Sequence, residues 1–87
     1  MTYRIVFTTE SSAERDQLPA ERRDLLDRGL ANLAKDPMRP HVSAPYRDRE
    51  HLRFGQVAPG LTVVYDIVDD MVIVVILRIL DATYIDA

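Results

Sequence analysis

The sequence predicts an α+β two-layer sandwich with the element order β-α-α-β-β-β, an antiparallel sheet carrying two helices on one face. Three observations predict it. Between Pro19 and Lys35 the apolar residues Leu25, Leu26, Leu30, Leu33 and Ala34 recur at helical spacing, as in a helix that lies on an apolar surface. From Leu61 to Val68, the residues Leu61, Val63, Tyr65 and Ile67 alternate with Thr62, Val64, Asp66 and Val68, the period-two pattern of a strand with one buried face. Met71 to Ile79 is apolar on both parities, which places that strand inside its sheet.

The remaining elements follow in order. Thr2 to Thr8 is β-branched and aromatic and reads as a strand. Ser11 with Glu14 has the spacing of a capping box, so a short helix is expected from there to about Gln17. Leu18-Pro19 breaks it, and Pro19 suits the first position of the second helix, where its missing N–H costs nothing. Asp36-Pro37 ends that helix, because the residue before a proline is pushed out of the α region. Residues 37–50 hold three prolines and five charges and are expected to form a loop. His51 to Val57 is a strand with Leu52 and Phe54 on one face and His51, Arg53 and Gly55 on the other. Ala58-Pro59-Gly60 turns the chain, and Asp69-Asp70 makes a tight turn before the last strand. The tail from Leu80 to Ala87 is acidic.

The length of 87 residues makes residues 1–87 one domain. A domain this small buries only roughly 60–65% of the surface its unfolded chain exposes. It therefore has no second lobe to close over a substrate, and any site is an open face. With no cysteine there is no disulfide framework, zinc–thiolate site or thiol nucleophile. The longest apolar run, Met71 to Leu77, is far short of the ~20 residues of a membrane span. Together with the lack of a charged-then-apolar leader, this predicts a cytoplasmic protein that does not engage membranes. His41 and His51, ten residues apart, have no metal-ligand spacing, so neither metal nor cofactor is expected.

Charge is unevenly spread. The net charge of −3 divides into −1 over residues 1–38, +2 over 39–65 and −4 over 66–87. The basic middle contains Arg39, Arg47, Arg49 and Arg53 and both histidines. Ten of the eleven basic residues are arginine, the side chain suited to planar, bidentate phosphate contacts.

The helix ending Leu33-Ala34-Lys35-Asp36-Pro37 and the run Leu52-Arg53-Phe54-Gly55, continued by Gly60-Leu61-Thr62-Val63-Val64-Tyr65-Asp66-Ile67-Val68-Asp69-Asp70, stand within the predicted element order. Together they resemble the RelE/ParE superfamily of toxins from bacterial type II toxin–antitoxin modules. The resemblance implies a RelE-like fold and the toxin function. In the endonuclease branch it implies ribosome-dependent mRNA cleavage: the RNA 2′-hydroxyl attacks the adjacent phosphate, and side chains on the open sheet face stabilise the developing charge. It also implies a cognate antitoxin as partner, ribosome and mRNA as targets, and a homodimer or a heterotetramer with the antitoxin as assembly. Other branches inhibit DNA gyrase or bind a partner without chemistry, and fold alone does not choose among them.

Transferred residue by residue, the resemblance nominates Arg53, Arg78 and Tyr84 as catalytic and Arg47, Arg49 and His51 as RNA-binding. Arg53 matches the family's basic residue on the first strand of the meander, and its parity opposite Leu52 and Phe54 would put it on the open face. Thr62 stands where many members have arginine. Arg78 with Tyr84 matches the late basic residue followed by an aromatic, though Arg78 lies within the last strand. Each has a bland alternative. Arg53 is otherwise a solvated strand residue, Arg78 a structural partner of Asp66 or Asp81, and Tyr84 an anchor for the tail. Arg47 and Arg49 alternate with Asp48 and Glu50, which neutralises them locally. A two-residue hairpin at Asp69-Asp70 would put Arg78 on the parity of Leu61, Val63 and Tyr65. A bulge or odd-length loop would put it with Thr62 and Asp66.

Overall fold

The computed structural model describes the backbone of residues 2–38, 43–46 and 49–82, with side chains over 2–38 and 52–82. The elements are β1 (Arg4–Phe7), α1 (Thr9–Gln17), α2 (Ala20–Leu33), β2 (Ser43–Tyr46), β3 (Arg49–Ala58), β4 (Leu61–Val68) and β5 (Ile73–Asp81), with a 3-10 turn at Asp69–Met71. The strands lie in the order β1-β5-β4-β3-β2. The predicted two-layer α+β architecture is present, and β5 is an internal strand as its two apolar faces require.

Three local features differ from the sequence reading. The sheet is antiparallel from β2 to β5, but β1 joins β5 in parallel. Hairpins force antiparallel neighbours, whereas the long route from β1 through both helices leaves the direction free. The segment read as loop contains β2, paired antiparallel with β3 and interrupted by a register shift at Pro45/Tyr46. Pro45 hides this strand in the sequence, yet proline is tolerated at an edge because one row of N–H groups there lacks a partner. The capping box lies one turn earlier than expected, at Thr8 and Ser11. Ser11 Oγ accepts from the Thr8 N–H at 2.9 Å, and Thr8 Oγ1 accepts from the Ser11 N–H at 3.1 Å.

The core fills the space between sheet and helices. Leu26, Leu30 and Leu33 of α2 meet Leu61, Val63, Tyr65 and Ile67 of β4 and Val74, Ile76 and Ile79 of β5. Each fully buried leucine contributes roughly 1.5–3 kcal/mol relative to exposure. On β4 the alternation is strict, with the covered parity buried and the other parity half-buried. α2 approaches β3 so closely that a Cβ on Gly29 would lie 2.2 Å from the Val57 carbonyl oxygen and 2.8 Å from its carbonyl carbon and Cβ. Gly60 takes a φ of 76° in the turn from β3 to β4, a conformation glycine adopts without steric cost.

Polar ties join the layers. The Tyr65 hydroxyl donates to the Pro37 carbonyl at 2.6 Å, which pins the exit from α2 onto the sheet centre. Arg22 donates through Nη2 to the Pro59 carbonyl at 2.7 Å and to Asp81 at 3.2 Å, fastening the first turn of α2 to the ends of β3 and β5. Arg15 forms a bidentate pair with Asp27 at 3.0 and 2.6 Å, linking α1 to α2. The hydrogen bond to Asp27 raises the Arg15 pKa further above its ordinary value. Among the described residues, no helix is long and apolar enough to cross a membrane.

Candidate functional site

Among the described residues both helices lie on one side, which leaves the opposite side of the sheet as the open face. Its composition follows from register. Phe54, Val64 and Arg78 are successive cross-strand partners on β3, β4 and β5, so their side chains form one row. The row of Leu52, Asp66 and Val75 lies to one side and that of Gln56, Thr62 and Leu80 to the other. Phe54 and Leu80 are 41% and 47% exposed. Five of these nine residues are apolar, with Arg78 and Asp66 as charged groups within those three rows.

Arg78 reaches the open face through a β-bulge. Val68 pairs with Ile73 and the register holds to Tyr65↔Ile76, after which Val64 pairs with Arg78. Leu77 is the extra residue, and such an insertion moves the residues beyond it to the other parity. Of the two registers open in the sequence, the bulged one is realised. The tight turn read at Asp69-Asp70 extends to Val72, which adopts a left-handed conformation with φ 55° and ψ 47°.

The carboxylate that holds Arg78 is Glu14 of α1, in place of the Asp66 or Asp81 expected. Arg78 Nε donates to one Glu14 oxygen at 2.9 Å, and the backbone N–H of Ile79 donates to the other at 2.9 Å. β1 ends at Phe7, opposite Ile76, so among the described residues β5 has no strand partner on that side beyond Ile76. α1 takes over the edge: Ser11 Oγ donates to the Ile76 carbonyl at 2.6 Å and Glu14 accepts from Ile79. Arg78 remains 53% exposed, and among the described residues its Nη1 and Nη2 donate to none.

Arg53 lies on the other side of the sheet. It is the cross-strand partner of Tyr65 and only 5% exposed, so its expected place on the open face is corrected. The expectation treated Leu52 and Phe54 as core-facing because they are apolar. The covered parity of β3 instead carries Arg53 and Gly55, opposite Tyr65 and Val63. Arg49 and His51 lie on β3, but their side chains, like Arg47 and Tyr84 altogether, fall outside the described residues. Of the two nominated residues whose side chains are described, Arg78 lies on the open face and Arg53 on the covered one.

Sequence reasoning missed Glu14 because it assigned that residue to a cap. The spacing of Thr8 and Ser11 offered an equivalent box that would have released it. At the other end of β5, the Tyr3 hydroxyl donates to an Asp69 carboxylate oxygen. That bond raises the Tyr3 pKa above its ordinary value, with smaller contributions from burial and from the charges of Asp69 and Asp36. No group of three or more His, Cys, Asp or Glu among the described residues could hold a metal ion.

No family model and no curated protein sequence matches the chain. Solved structures do. The isolated E. coli RelE toxin superposes with a TM-score of 0.77 at 19% identity, covering 91% of this chain and 83% of that one. A chain of the RelBE2 toxin–antitoxin complex from Mycobacterium tuberculosis gives a TM-score of 0.80 at 23% identity over 93% and 99% of the two chains. The archaeal RelE–RelB complex from Pyrococcus horikoshii gives 0.71 at 16% identity over 97% and 99%. The chain has the RelE fold.

Proposed function

We propose that this chain is the toxin of a type II toxin–antitoxin module and inhibits translation by cutting mRNA on the ribosome. The observation that carries the reading is the RelE fold along nearly the whole chain, with an arginine fork presented on the uncovered sheet face. The chemistry needs little from the protein, since nucleophile and electrophile both belong to the RNA. The 2′-oxygen bonds to phosphorus as its proton is removed, and the P–O5′ bond breaks with protonation of the leaving 5′-oxygen. A 2′,3′-cyclic phosphate and a 5′-hydroxyl result. Arg78 stabilises the phosphorane charge through its Nη groups, where two parallel N–H···O contacts match phosphate geometry. Tyr84 stacks on a base or acts through its hydroxyl, while Arg47, Arg49 and His51, from the basic middle of the sequence, hold RNA. Arg53, on the covered side, serves the core.

Solved RelE-fold chains occur in complexes with antitoxins, which supports an antitoxin as the cytoplasmic partner here, in a heterotetramer or beside a homodimer. A second reading, a partner-binding or gyrase-inhibiting protein without RNA chemistry, is favoured by Thr62 on the open face and Arg53 away from it. Induced expression in a bacterial host decides between them. RNA cleavage requires growth arrest and cuts within ribosome-bound mRNA, both lost in Arg78→Ala. Arrest without cuts, accompanied by loss of supercoiling by gyrase, selects the second reading.

A further inference from the structure

We propose that Glu14 is a positioning residue for Arg78, fixing the guanidinium so that its two terminal nitrogens meet a phosphodiester as a preset fork. The inference rests on the reading of Arg78 as the phosphate-contacting group. An arginine on an exposed strand is ordinarily free to rotate about its side-chain bonds, and ordering it on binding costs entropy. Here one carboxylate joins two donors whose separation is set by the chain: the Nε of Arg78 and the main-chain N–H of the next residue, Ile79, each at 2.9 Å. The carboxylate is itself fixed. One turn earlier on α1, the fully buried Ser11 donates to the Ile76 carbonyl at 2.6 Å and completes the capping box with Thr8. Glu14 thus spends the Nε donor, which points away from a bidentate phosphate, and leaves Nη1 and Nη2 available. The Leu77 bulge supplies the other half of the device by turning Arg78 to the open face.

Glu14→Gln separates positioning from edge capping. Glutamine keeps an oxygen for the Ile79 N–H but sets an NH2 group against the Arg78 Nε–H, so the arginine is released while the edge stays closed. Unchanged amide resonances along β3 and β4, away from the substituted side chain, verify that the variant is folded as the wild type, and retained protection of the Ile79 amide from exchange shows that the edge stays closed. Titration with a 2′-O-methylated trinucleotide, which carries phosphodiesters and cannot be cleaved, is followed at the Arg78 Nε–H resonance. The variant is expected to bind about threefold or more weakly, because a free side chain must be ordered. The sign is decisive. If Glu14 merely neutralised Arg78, removing its charge would tighten binding, and equal or tighter binding overturns the proposal. So does a wild-type Arg78 resonance that the trinucleotide does not shift. In ribosome-dependent cleavage, kcat is expected to fall by up to about a hundredfold, the effect of a misplacement of about 1 Å; an unchanged kcat also overturns positioning. A chain that binds the trinucleotide at Arg78, weakens in Glu14→Gln and cuts no mRNA sustains the positioning role and refutes the cleavage reading instead.

Discussion

Replacing Gly29 by alanine should destabilise this protein, although the same change in an exposed helix stabilises it. The reason is the approach of α2 to β3: the new Cβ would lie 2.2 Å from the Val57 carbonyl oxygen. An ordinary carbon–oxygen approach is about 3.3 Å, so the helix must withdraw by about 1 Å. Val57 offers a main-chain carbonyl there, which cannot rotate away as a flexible side chain would. Overpacking of this kind costs roughly 1–3 kcal/mol. Withdrawal also forfeits roughly a quarter to a half of the dispersion energy of the contacts that open, and these include contacts of the buried Leu26, Leu30 and Leu33. Against this, alanine gains about 1 kcal/mol of helix propensity over glycine. The net expectation is a loss of about 1–2 kcal/mol, which lowers Tm by roughly 4–16 °C for a domain of this size. Urea denaturation followed by circular dichroism measures it as a reduced midpoint at unchanged slope. The exposed Ala31, on the same helix, provides the control: Ala31→Gly should cost only about 1 kcal/mol, from propensity alone. A Gly29→Ala protein as stable as the wild type, or more so, would refute the close-approach reasoning.

Three further outcomes follow from single contacts. Tyr65→Phe removes the buried hydroxyl that donates to the Pro37 carbonyl and should cost about 1–3 kcal/mol; an unchanged urea midpoint would show that this tie contributes nothing. Val72→Gly relieves a β-branched residue held at φ 55°, worth about 1–2 kcal/mol, less about 0.5–1 kcal/mol of added unfolded-chain entropy. The midpoint should rise, and a fall would contradict the strain. Tyr3, whose pKa is raised in the folded state chiefly by its bond to Asp69, stabilises the fold fully below the unfolded-state value near 10.0. That stabilisation is lost as pH climbs through the higher folded-state value, because unfolding then releases the proton more readily. The alkaline decline in thermal stability should therefore be shallower in Tyr3→Phe, and identical profiles for the two proteins would rule the linkage out.

Residues whose pattern is set by water were legible in the sequence, and those set by a neighbour's geometry were not. The alternation of Leu61 to Ile67 and the helical spacing of Leu26, Leu30 and Leu33 report burial directly, so the layers and their order could be read. Phe54 and Arg53 invert that logic. An exposed phenylalanine and a buried arginine occupy adjacent places on β3, and their sides are dictated by pairing with Val64 and Tyr65, a relation between strands that neither residue encodes alone. The place of Arg78 depends on one extra residue, Leu77, whose side chain resembles every other in that apolar run. Glu14 was hidden for a related reason: its partners lie 64 and 65 positions away, and a local cap offered a complete account of it.

The parallel seam between β1 and β5 also governs when the molecule can exist. Arg4 to Phe7 pair with Ile73 to Ile76, so each residue of β1 has its sheet partner made about seventy residues later. Contacts so distant in sequence close large loops before they return any stabilisation, and they slow folding. α1 is bound to the same late strand through Ser11 and Glu14. A growing polypeptide therefore presents two helices with no completed surface to lie on until β5 emerges from the ribosome. Assembly is postponed until β5 is made, and a chain interrupted before it lacks the strand that holds β1 and α1 in place.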